Sequence, residues 1–597
     1  MNKCKQLLGG LGRRSMACLL ALVLVLGLVP ATGLRAGAIS VDEAVEKVVE
    51  WGFMRGDISG NMRPDDPITR AEFVTIINRA FGYHVMGTDP FTDVTASDWY
   101  AQDVSIAYTE NYITGTSETT FSPNGQLTRE QAVVILARNM RLQAYPGEDT
   151  SFSDSRDLHE WSRGLVEQAV RYNIVNGYPD GTFRPAKAIT RGEAATLLVN
   201  AIGNPVQEAG SHTLGGVYGN VTITASGVTL RDTVVAGNLY ITDGVDLGSV
   251  LLENVRVLGQ IVICGGGISQ DGNESIVLRN VDAQELIIDT QRGQEVSLRV
   301  DGDGTIASTT VRSNGFLRDN TGDGQGLLKI TLDGGEDAKL SLAGNLKQVT
   351  NLTPGSTLNL VSGTAASITI DEAATGSTLD IAAGALADEV NLDVATTVTG
   401  QGDIGKLTVN TSGSTVTMLP DEIVVRPGDT VTIGGVTMDS TAAAEASSDP
   451  RLMGGYPNVS DLAPTSALAK FSGNKSGTVY WAVTPITSGS VGAGDLINPP
   501  SYNNDIVASG TTSLTGSGVV ASTKLDKLTS GGSYYLSAVF VDAREDQSPV
   551  KVISFSTPDD TVPNFADGYP YLSRVTNISA QVTVNKKVRN AWKFQKS

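Results

Sequence analysis

One short stretch occurs three times in the first third of the chain, as ITRAEF at 68–73, LTREQA at 127–132 and ITRGEA at 189–194. In each copy a threonine precedes a glutamate or glutamine by three residues, and an apolar run with helical spacing follows. Side chains at that spacing form a capping box, in which each one satisfies a backbone NH at the start of a helix. The pattern predicts three helix starts with these capping pairs: Thr69 and Glu72, Thr128 and Gln131, Thr190 and Glu193.

An arginine follows the threonine in every copy, as Arg70, Arg129 and Arg191. A helix start carries the positive end of the helix dipole and free backbone NH groups, so a cation is disfavoured there on stability grounds. A guanidinium suits this place if an anion must be received, above all a carboxylate that it grips with two bonds. The alternative is that each arginine pairs with a local acid, such as the aspartate of the Phe-x-Asp motifs at 91–93 and 152–154. Because three copies share one register, we favour anion recognition.

Residues 39–203 resemble three tandem S-layer homology (SLH) motifs, at 39–88, 89–147 and 148–203, on the basis of this tetrapeptide and its spacing of about sixty residues. The resemblance implies a pseudo-threefold trimer of helical motifs. It also implies docking on pyruvylated secondary cell-wall polysaccharide of Gram-positive-type bacteria, with the arginines in grooves between motifs. Carried over to this chain, the glycan-binding residues are Arg70, Arg129 and Arg191, with Gly115 and Gly177 of the preceding turns as further candidates.

The three copies are not equivalent. Copy one lacks the Phe-x-Asp opening and has Arg-Gly-Asp at 55–57 where copy three has Asn-Gly-Tyr at 176–178, and copy two carries Gln131 in place of glutamate. The three grooves therefore need not all be competent to bind.

The first 38 residues are typical of an export signal. An apolar run from Met16 to Val29 is followed by small residues at 36–38, and four basic residues precede it: Lys3, Lys5, Arg13 and Arg14. The run is short for a membrane span, so a retained membrane anchor is the less favoured alternative. We expect a secreted protein of the cell wall or surface layer, with no membrane attachment after cleavage.

Composition agrees with export. The 597 residues contain 66 glycines, 6% aromatic and 18% charged residues, which is typical of a turn-rich β protein with several domains. The net charge of −20 disfavours a nucleic-acid partner. Cys4 and Cys18 belong to the signal, and Cys264, alone in an apolar strand, is expected to be a small buried residue.

The region 213–440 contains short apolar strands separated by Gly, Asn and Asp. The segments 219–223, 237–241 and 259–263 repeat one pattern, and a second pattern interleaves with it at a similar step of about 22 residues. Such a step indicates stacked coils, hence a β-solenoid, read as a right-handed parallel β-helix. A β-sandwich array is the alternative. The coils would stack three polar residues as a ladder at one corner: Asp232, Asn254 and Asn280.

Many β-helices degrade polysaccharides, so a catalytic β-helix is a further alternative for this region. Carboxylates cluster on expected turns at Asp301, Asp303, Asp319 and Asp323. Turn chemistry accounts for them, with calcium binding through oxygen ligands as the alternative. No set of Lys, Arg and acid suited to proton abstraction stands out between 213 and 440. The sequence predicts no catalytic residues and no cofactor other than calcium.

The C-terminal part is expected to begin with a linker at 441–453. The module that follows, 454–558, resembles a fibronectin type III or immunoglobulin-like β-sandwich, because Leu528, Gly531 and Tyr534 have the spacing of a tyrosine corner. The segment 561–597 begins to repeat this module and stops short, so we expect it to pack poorly by itself.

The leading functional hypothesis is therefore a multidomain, non-catalytic protein. Its helical SLH trimer would bind secondary cell-wall polysaccharide, and its β-solenoid and β-sandwich would form a displayed array that can self-associate in a surface layer. Two alternatives stay open: an adhesin for host or environmental glycans, and a wall-anchored polysaccharide-degrading enzyme.

Overall fold

A computed structural model describes these stretches of the chain: 39–147, 152–267, 274–291, 293–322, 324–499, 505–515, 518–542 and 545–559. They belong to two compact units that divide between Leu340 and Ser341. The predicted export signal at 1–38, the predicted truncated module at 561–597 and Asp323 lie outside the described residues.

The first unit opens with paired helices, two from each repeat. Among the described residues they are α1 (Val41–Glu50), α2 (Arg70–Phe81), α3 (Ala101–Thr109), α4 (Arg129–Asn139), α5 (Glu160–Arg171) and α6 (Arg191–Ile202), with a short 3-10 turn at Ser155–Asp157. The second helix of each repeat starts with both bonds of a capping box, at Thr69 and Glu72, Thr128 and Gln131, and Thr190 and Glu193. Local sequence alone therefore positions these helix starts.

A ring of backbone hydrogen bonds joins the three repeats. Ile68 NH donates to Ile189 O (3.1 Å), Leu127 NH to Ile68 O (3.1 Å), and Ile189 NH to Leu127 O (3.0 Å). All three side chains are fully buried. The residue before each capping threonine thus closes the ring and fills its centre, which gives the repeats a pseudo-threefold arrangement.

Parallel coils follow the last helix without a linker. Their strands in the first unit are β1 (Asn204–Val206), β2 (Gly210–Thr213), β3 (Gly216–Val217), β4 (Val221–Ile223), β5 (Val228–Val235), β6 (Leu239–Ile241), β7 (Val250–Ile263), β8 (Ile276–Arg279), β9 (Asp282–Ile288), β10 (Val296–Asp301), β11 (Ile306–Val311), β12 (Gly315–Asp319) and β13 (Lys329–Leu332), with a 3-10 turn at Asp243–Val245. The coils begin at Asn204, not at 213 as expected, because the Gly-rich texture starts partway through the first coil.

The predicted β-solenoid is confirmed. Parallel pairing aligns Leu230 with Leu252 and Leu252 with Leu278, and all three side chains are fully buried inside the coils. About 12 turns are present in all. The alternative of a β-sandwich array for this region is therefore wrong, whereas the handedness of the coils stays a prediction.

The predicted polar ladder is present at one corner. Asn254 Nδ2 donates to Asp232 Oδ1 (3.0 Å), and Asn280 Nδ2 donates to Asn254 Oδ1 (2.9 Å). All three residues have positive φ, between 45° and 56°. Asn and Asp tolerate this left-handed conformation better than other residues with a Cβ. The turn geometry therefore selects the residue type, and stacking pairs the side chains.

The chain passes into the second unit within β14 (Lys339–Asn351), and further coils follow. Their strands are β15 (Thr357–Ile370), β16 (Thr378–Ile381), β17 (Leu386–Leu392), β18 (Thr397–Gly400), β19 (Asp403–Val409), β20 (Ser414–Val416), β21 (Glu422–Val425), β22 (Val431–Ile433) and β23 (Val436–Met438). β23 pairs antiparallel with β22, unlike the parallel pairs before it.

Helix α7 (Ser440–Ser448) lies where the sequence analysis expects a linker. Asp439 caps it by accepting from the NH groups of Thr441 and Ala442. Alanine has the highest helix propensity, so a run of small residues read as a linker forms a helix once it is capped.

Two antiparallel sheets complete the described part of the second unit. One contains β24 (Asn458–Ala463), β25 (Ser466–Phe471) and β28 (Ala521–Leu525); the other contains β26 (Gly477–Pro485), β27 (Ala508–Leu514), β29 (Ser533–Asp542) and β30 (Lys551–Ser556). The short helix α8 (Ala493–Ile497) lies between strands. One buried cluster contains residues of both sheets, including Phe471, Trp481 and Phe540. Tyr534 Oη accepts from the NH of Thr529 (2.7 Å), as a tyrosine corner would. The fibronectin type III or immunoglobulin-like assignment stays a prediction.

Candidate functional site

Each of the three arginines lies at a junction between its own helix start and a turn of another repeat. The first junction joins Arg70 to the turn 121–126, the second joins Arg129 to the turn 183–188, and the third joins Arg191 to the turn 62–67. The arginines are only 6%, 7% and 6% exposed. The sequence analysis placed them at helix starts, and the structure adds that each start is built from two repeats.

At the first junction, the Arg70 guanidinium donates to two backbone carbonyls of the second repeat. Nε bonds to Phe121 O (2.8 Å) and Nη2 to Thr114 O (3.1 Å), and the guanidinium lies 4.8 Å from the centre of the Phe121 ring. Burial lowers the pKa of Arg70 below its ordinary value. Gln131 of the second repeat is neutral, so it brings no carboxylate to this junction.

At the second junction, Arg129 Nη2 donates to Asn176 O (2.6 Å). The guanidinium lies over two rings, 4.7 Å from the centre of Tyr178 and 5.2 Å from that of Phe183. Its Nε is buried and has no hydrogen-bond partner among the described residues. Burial lowers the pKa of Arg129 as well. This guanidinium is therefore less fully engaged by protein acceptors than the other two.

Two more cations surround the ring of Tyr178 at the second junction. The Arg184 guanidinium lies 4.3 Å and Lys187 Nζ 4.9 Å from the ring centre. Lys187 Nζ also donates to Tyr178 Oη (2.9 Å) and to Glu193 Oε1 (2.7 Å). Arg184 and Lys187 are exposed, unlike Arg129. Sequence reasoning missed these residues, although an aromatic residue and two basic residues between 178 and 187 are the signal that points to them.

At the third junction, Arg191 is fully engaged. Nε donates to Met62 O (2.9 Å), Nη2 to Arg55 O (2.9 Å), and Nη1 pairs with Glu72 Oε1 (2.8 Å). The turn 62–67 carries one arginine and two aspartates, whereas the turn 183–188 carries two cations and no acid. The two junctions share a backbone design and differ in charge.

The aspartates of the Phe-x-Asp motifs do not hold the arginines. Asp93 accepts from the NH groups of Phe121 (2.8 Å) and Ser122 (2.7 Å), while Asp154 accepts from those of Phe183 and Arg184, both at 2.7 Å. The expected alternative of an acid partner is met at the third junction, where Arg191 pairs with Glu72 of another repeat (2.8 Å), while Asp93 and Asp154 bind backbone NH groups. These carboxylates fix the turns whose carbonyls receive the guanidinium groups, which a one-dimensional spacing could not reveal.

The two candidate glycines lie in tightly packed turns. A Cβ at Gly115 would overlap the carbonyl oxygens of Ser117 and Thr120, and one at Gly177 would overlap the ring of Phe152. Close approach of the chain therefore requires glycine at both places. Their contact with a ligand stays a prediction.

The arginine ring lies at the end of the bundle where helices start. His159, which precedes α5, donates its NH to Glu130 Oε1 (2.8 Å) at the start of α4, and Val41 of α1 lies against Gly192 of α6. Several helix starts thus direct their positive dipole ends to the same face. That arrangement favours an anion over this face.

Two of the calcium candidates in the coils, Asp301 and Asp319, are engaged by protein donors. Asp319 accepts from the NH groups of Thr321 (2.9 Å) and Leu327 (2.8 Å), and Asp301 pairs with Arg299 (3.0 Å). In the part of the chain that the structure describes, no three His, Cys, Asp or Glu side chains come together as a metal site. Nor does any helix there have the length and apolar character to cross a membrane.

Comparison with known proteins identifies the helical part. The model of the S-layer homology domain matches residues 37–74, 90–133 and 151–195. The chain is 32% identical over 165 residues to the surface-layer 125 kDa protein of Lysinibacillus sphaericus, covering 27% of this chain and 14% of that protein. It is 32% identical over 161 residues to an amylopullulanase of Thermoanaerobacterium thermosulfurigenes (26% and 9%), and 26% identical over 153 residues to a cellulosome-anchoring protein of Acetivibrio thermocellus (24% and 34%).

The matched part of the chain thus spans 9–34% of the length of these relatives. It carries three S-layer homology repeats, as cell-surface and surface-layer proteins do.

Proposed function

We propose that this chain, which carries three S-layer homology repeats, attaches non-covalently to an acidic, pyruvylated secondary polysaccharide of a Gram-positive-type cell wall and displays a non-catalytic β array. The observation that carries the proposal is the ring of three arginines at helix starts, each fixed by the backbone of another repeat. A guanidinium held in this way is preorganised for a carboxylate, because little side-chain freedom is lost when the anion binds.

We propose further that the second junction is the principal binding site. Its turn brings Arg184 and Lys187 beside Arg129, whereas the turn of the third junction brings Asp65 and Asp66. Two cations near an anion raise both its association rate and its affinity, and two aspartates oppose it. Tyr178 adds an aromatic surface on which the apolar face of a sugar ring can stack.

Sedimentation of the full chain with purified cell walls tests this proposal. The R184A/K187A variant should weaken binding by about tenfold or more, because it removes two cations that contact the site while leaving the ring intact. Arg63 occupies the position of Arg184 in the third junction, so R63A is the matched control and should change binding little. Equal losses in both variants would contradict the ranking of the junctions.

A second arm tests the anion itself. Walls from which the pyruvyl groups have been removed should release the unmodified chain, and the R70A/R129A/R191A variant should fail to bind untreated walls. Because these arginines also join the repeats, the triple variant must first show native helix content by circular dichroism. Undiminished attachment to depyruvylated walls would refute the acidic polymer as partner.

Coils and sheets follow the three repeats along the chain. Some proteins that share the repeats are enzymes by name, yet the shared part covers about a quarter of this chain. We propose a structural array, and electron microscopy of the wall-bound chain with and without calcium should then show an ordered layer. Glycan-array binding without assembly would favour an adhesin, and release of sugars from polysaccharide would favour an enzyme.

A further inference from the structure

The joint between the helical repeats and the coils shows unusually close integration. Helix α6 ends at Ile202 and strand β1 begins at Asn204, so one residue, Gly203, connects them. Gly203 has a φ of 67°, and a Cβ there would overlap the backbone of Asn220 in the next coil. A connection of one residue with no room for a side chain leaves little freedom for a hinge.

Side chains of the coils cap the carbonyl ends of the helices. Thr222 Oγ1 donates to Ile202 O (2.8 Å), Asn220 Nδ2 to Ala201 O (2.7 Å), and Thr242 Oγ1 to Phe81 O (2.7 Å). The last carbonyls of a helix have no partner within the helix and need one when they are buried. Here the coils, not the repeats themselves, supply those partners.

A row of coil side chains under the helices is buried on the face that would otherwise meet solvent. In-register pairing aligns Thr222, Tyr240, Val262 and Ile287, which are 0–3% exposed. The next two members of the same row, Thr310 and Thr331, are partly exposed. Burial of this row therefore ends after β9, and Tyr240 and Val262 belong to the same buried cluster as the helices.

A buried arginine contributes a polar contact to this joint. Arg141, which follows α4, donates to Glu110 O from Nη1 and Nη2 (both 3.3 Å), and its Nη2 lies 3.8 Å from Asp243 Oδ2 of the coils. Both side chains of this ion pair are at most 5% exposed. A cation at the carbonyl end of a helix is stabilised by the helix dipole.

We infer that the repeats and the coils as far as β9 form one rigid joint, which holds the coils of the first unit on the side opposite the arginines at the helix starts. The helix starts carry the arginines and the helix ends carry the coils, separated by a helix of 12 residues, about 18 Å in length. The direction of the coils relative to the wall rests on the proposed function. Because the wall would bind at the arginines, a wall-bound chain holds these coils away from the wall.

Cys264 offers a direct probe of the joint. It packs in the same buried cluster as the helices and is 4% exposed. Burial raises the pKa of its thiol to about 12, so the reactive thiolate is scarce while the joint is closed. Labelling by a maleimide at neutral pH therefore reports opening, in a full chain whose Cys4 and Cys18 are replaced by serine.

The test compares two matched double variants. T222V/T242V removes the two hydroxyls that cap the helices and should speed labelling about a hundredfold, since each buried carbonyl left without a donor is worth about tenfold. T310V/T331V makes the same change at the two partly exposed positions farther along this row, and should leave the labelling rate unchanged. Equal rates in the two variants would overturn the inference.

A third variant separates the face from the connection. Ten Gly and Ser residues inserted after Gly203 should leave Cys264 protected to within a few-fold, because a flexible loop of this length adds little closure entropy. Full exposure of the thiol would show that the short connection alone holds the parts together, and would overturn the rigid joint. These assays contain no cell wall, so a failure of wall binding and a failure of the joint are read separately.

Discussion

The second and third junctions share one backbone and differ in what their turns carry. At both, a buried arginine at a helix start donates to carbonyls of another repeat. Arg191 is fully engaged by two carbonyls and Glu72, whereas the buried Nε of Arg129 has no hydrogen-bond partner among the described residues, and Arg184 and Lys187 lie on the same Tyr178 ring as Arg129. The difference supports the proposal that one repeated motif serves two purposes, with Arg191 closing the ring and Arg129 binding an anion.

The largest expected effect is on stability, because removing an arginine that closes the ring should cost more than removing one that binds an anion. R191A should lower the free energy of unfolding by about 3 kcal/mol, because it leaves Glu72 and two carbonyls without their buried partner. R129A should cost about 1–2 kcal/mol, since fewer protein acceptors lose a donor. Urea denaturation monitored by circular dichroism measures both values. A larger loss for R129A would reverse the assignment of roles.

The next effect concerns binding. K187D gives the second junction the residue found at the corresponding place in the third, Asp66, and D66K makes the opposite exchange. We expect K187D to weaken wall binding by about tenfold or more and D66K to strengthen it, because each exchange changes the local charge by two. Sedimentation isotherms at low and high salt provide the measurement, and the difference should shrink at high salt. Unchanged affinity in K187D would leave the second junction without its special role.

A smaller effect is expected at the first junction. Q131E supplies the carboxylate that the other two capping boxes have. A partly exposed ion pair is worth about 0.5 kcal/mol, so Q131E should stabilise the chain slightly without raising wall affinity. Thermal unfolding and sedimentation of the same preparation would measure both. A gain in wall affinity would contradict an anion bound at Arg70, because the added carboxylate would repel that anion.

The smallest expected effect is on the pKa of Asp180, which lies just before the turn of the second junction. Hydrogen bonds from Thr182 and Arg184 lower the pKa of Asp180 to about 2. Because this folded-state pKa lies below the usual 3.8, the stability that the pairing brings is present at pH above about 4 and is lost as the pH falls through about 2. NMR titration of the carboxyl should show this midpoint, and R184A should raise it. An unchanged midpoint in R184A would mean that Thr182 alone is responsible.

Local features of the fold were predictable because their causes are local. The capping pairs follow from residues three positions apart, and the ladder of Asp232, Asn254 and Asn280 follows from a repeated step combined with a left-handed turn. Within the linker expected at 441–453 the structure has helix α7, whose start depends on another local cause, the capping by Asp439.

The site was predictable in part. The register of three copies singled out Arg70, Arg129 and Arg191, with a local acid as the alternative to an anionic ligand. In the structure each guanidinium donates to the backbone of another repeat, and Arg191 also pairs with Glu72. Tyr178, Arg184 and Lys187 went unnoticed because their convergence on one ring depends on how the turn folds over the neighbouring helix start.

By itself, the sequence determined where helices start, where coils turn and which residue types fill those places, because such choices depend on backbone groups only a few residues away. Only the tertiary structure decided that Ile68, Leu127 and Ile189 close a ring, that each arginine is held by another repeat, and that the coils cap the helices. These contacts join residues far apart along the chain. A buried carbonyl without a donor costs free energy, so the fold that gives each buried carbonyl a partner is favoured.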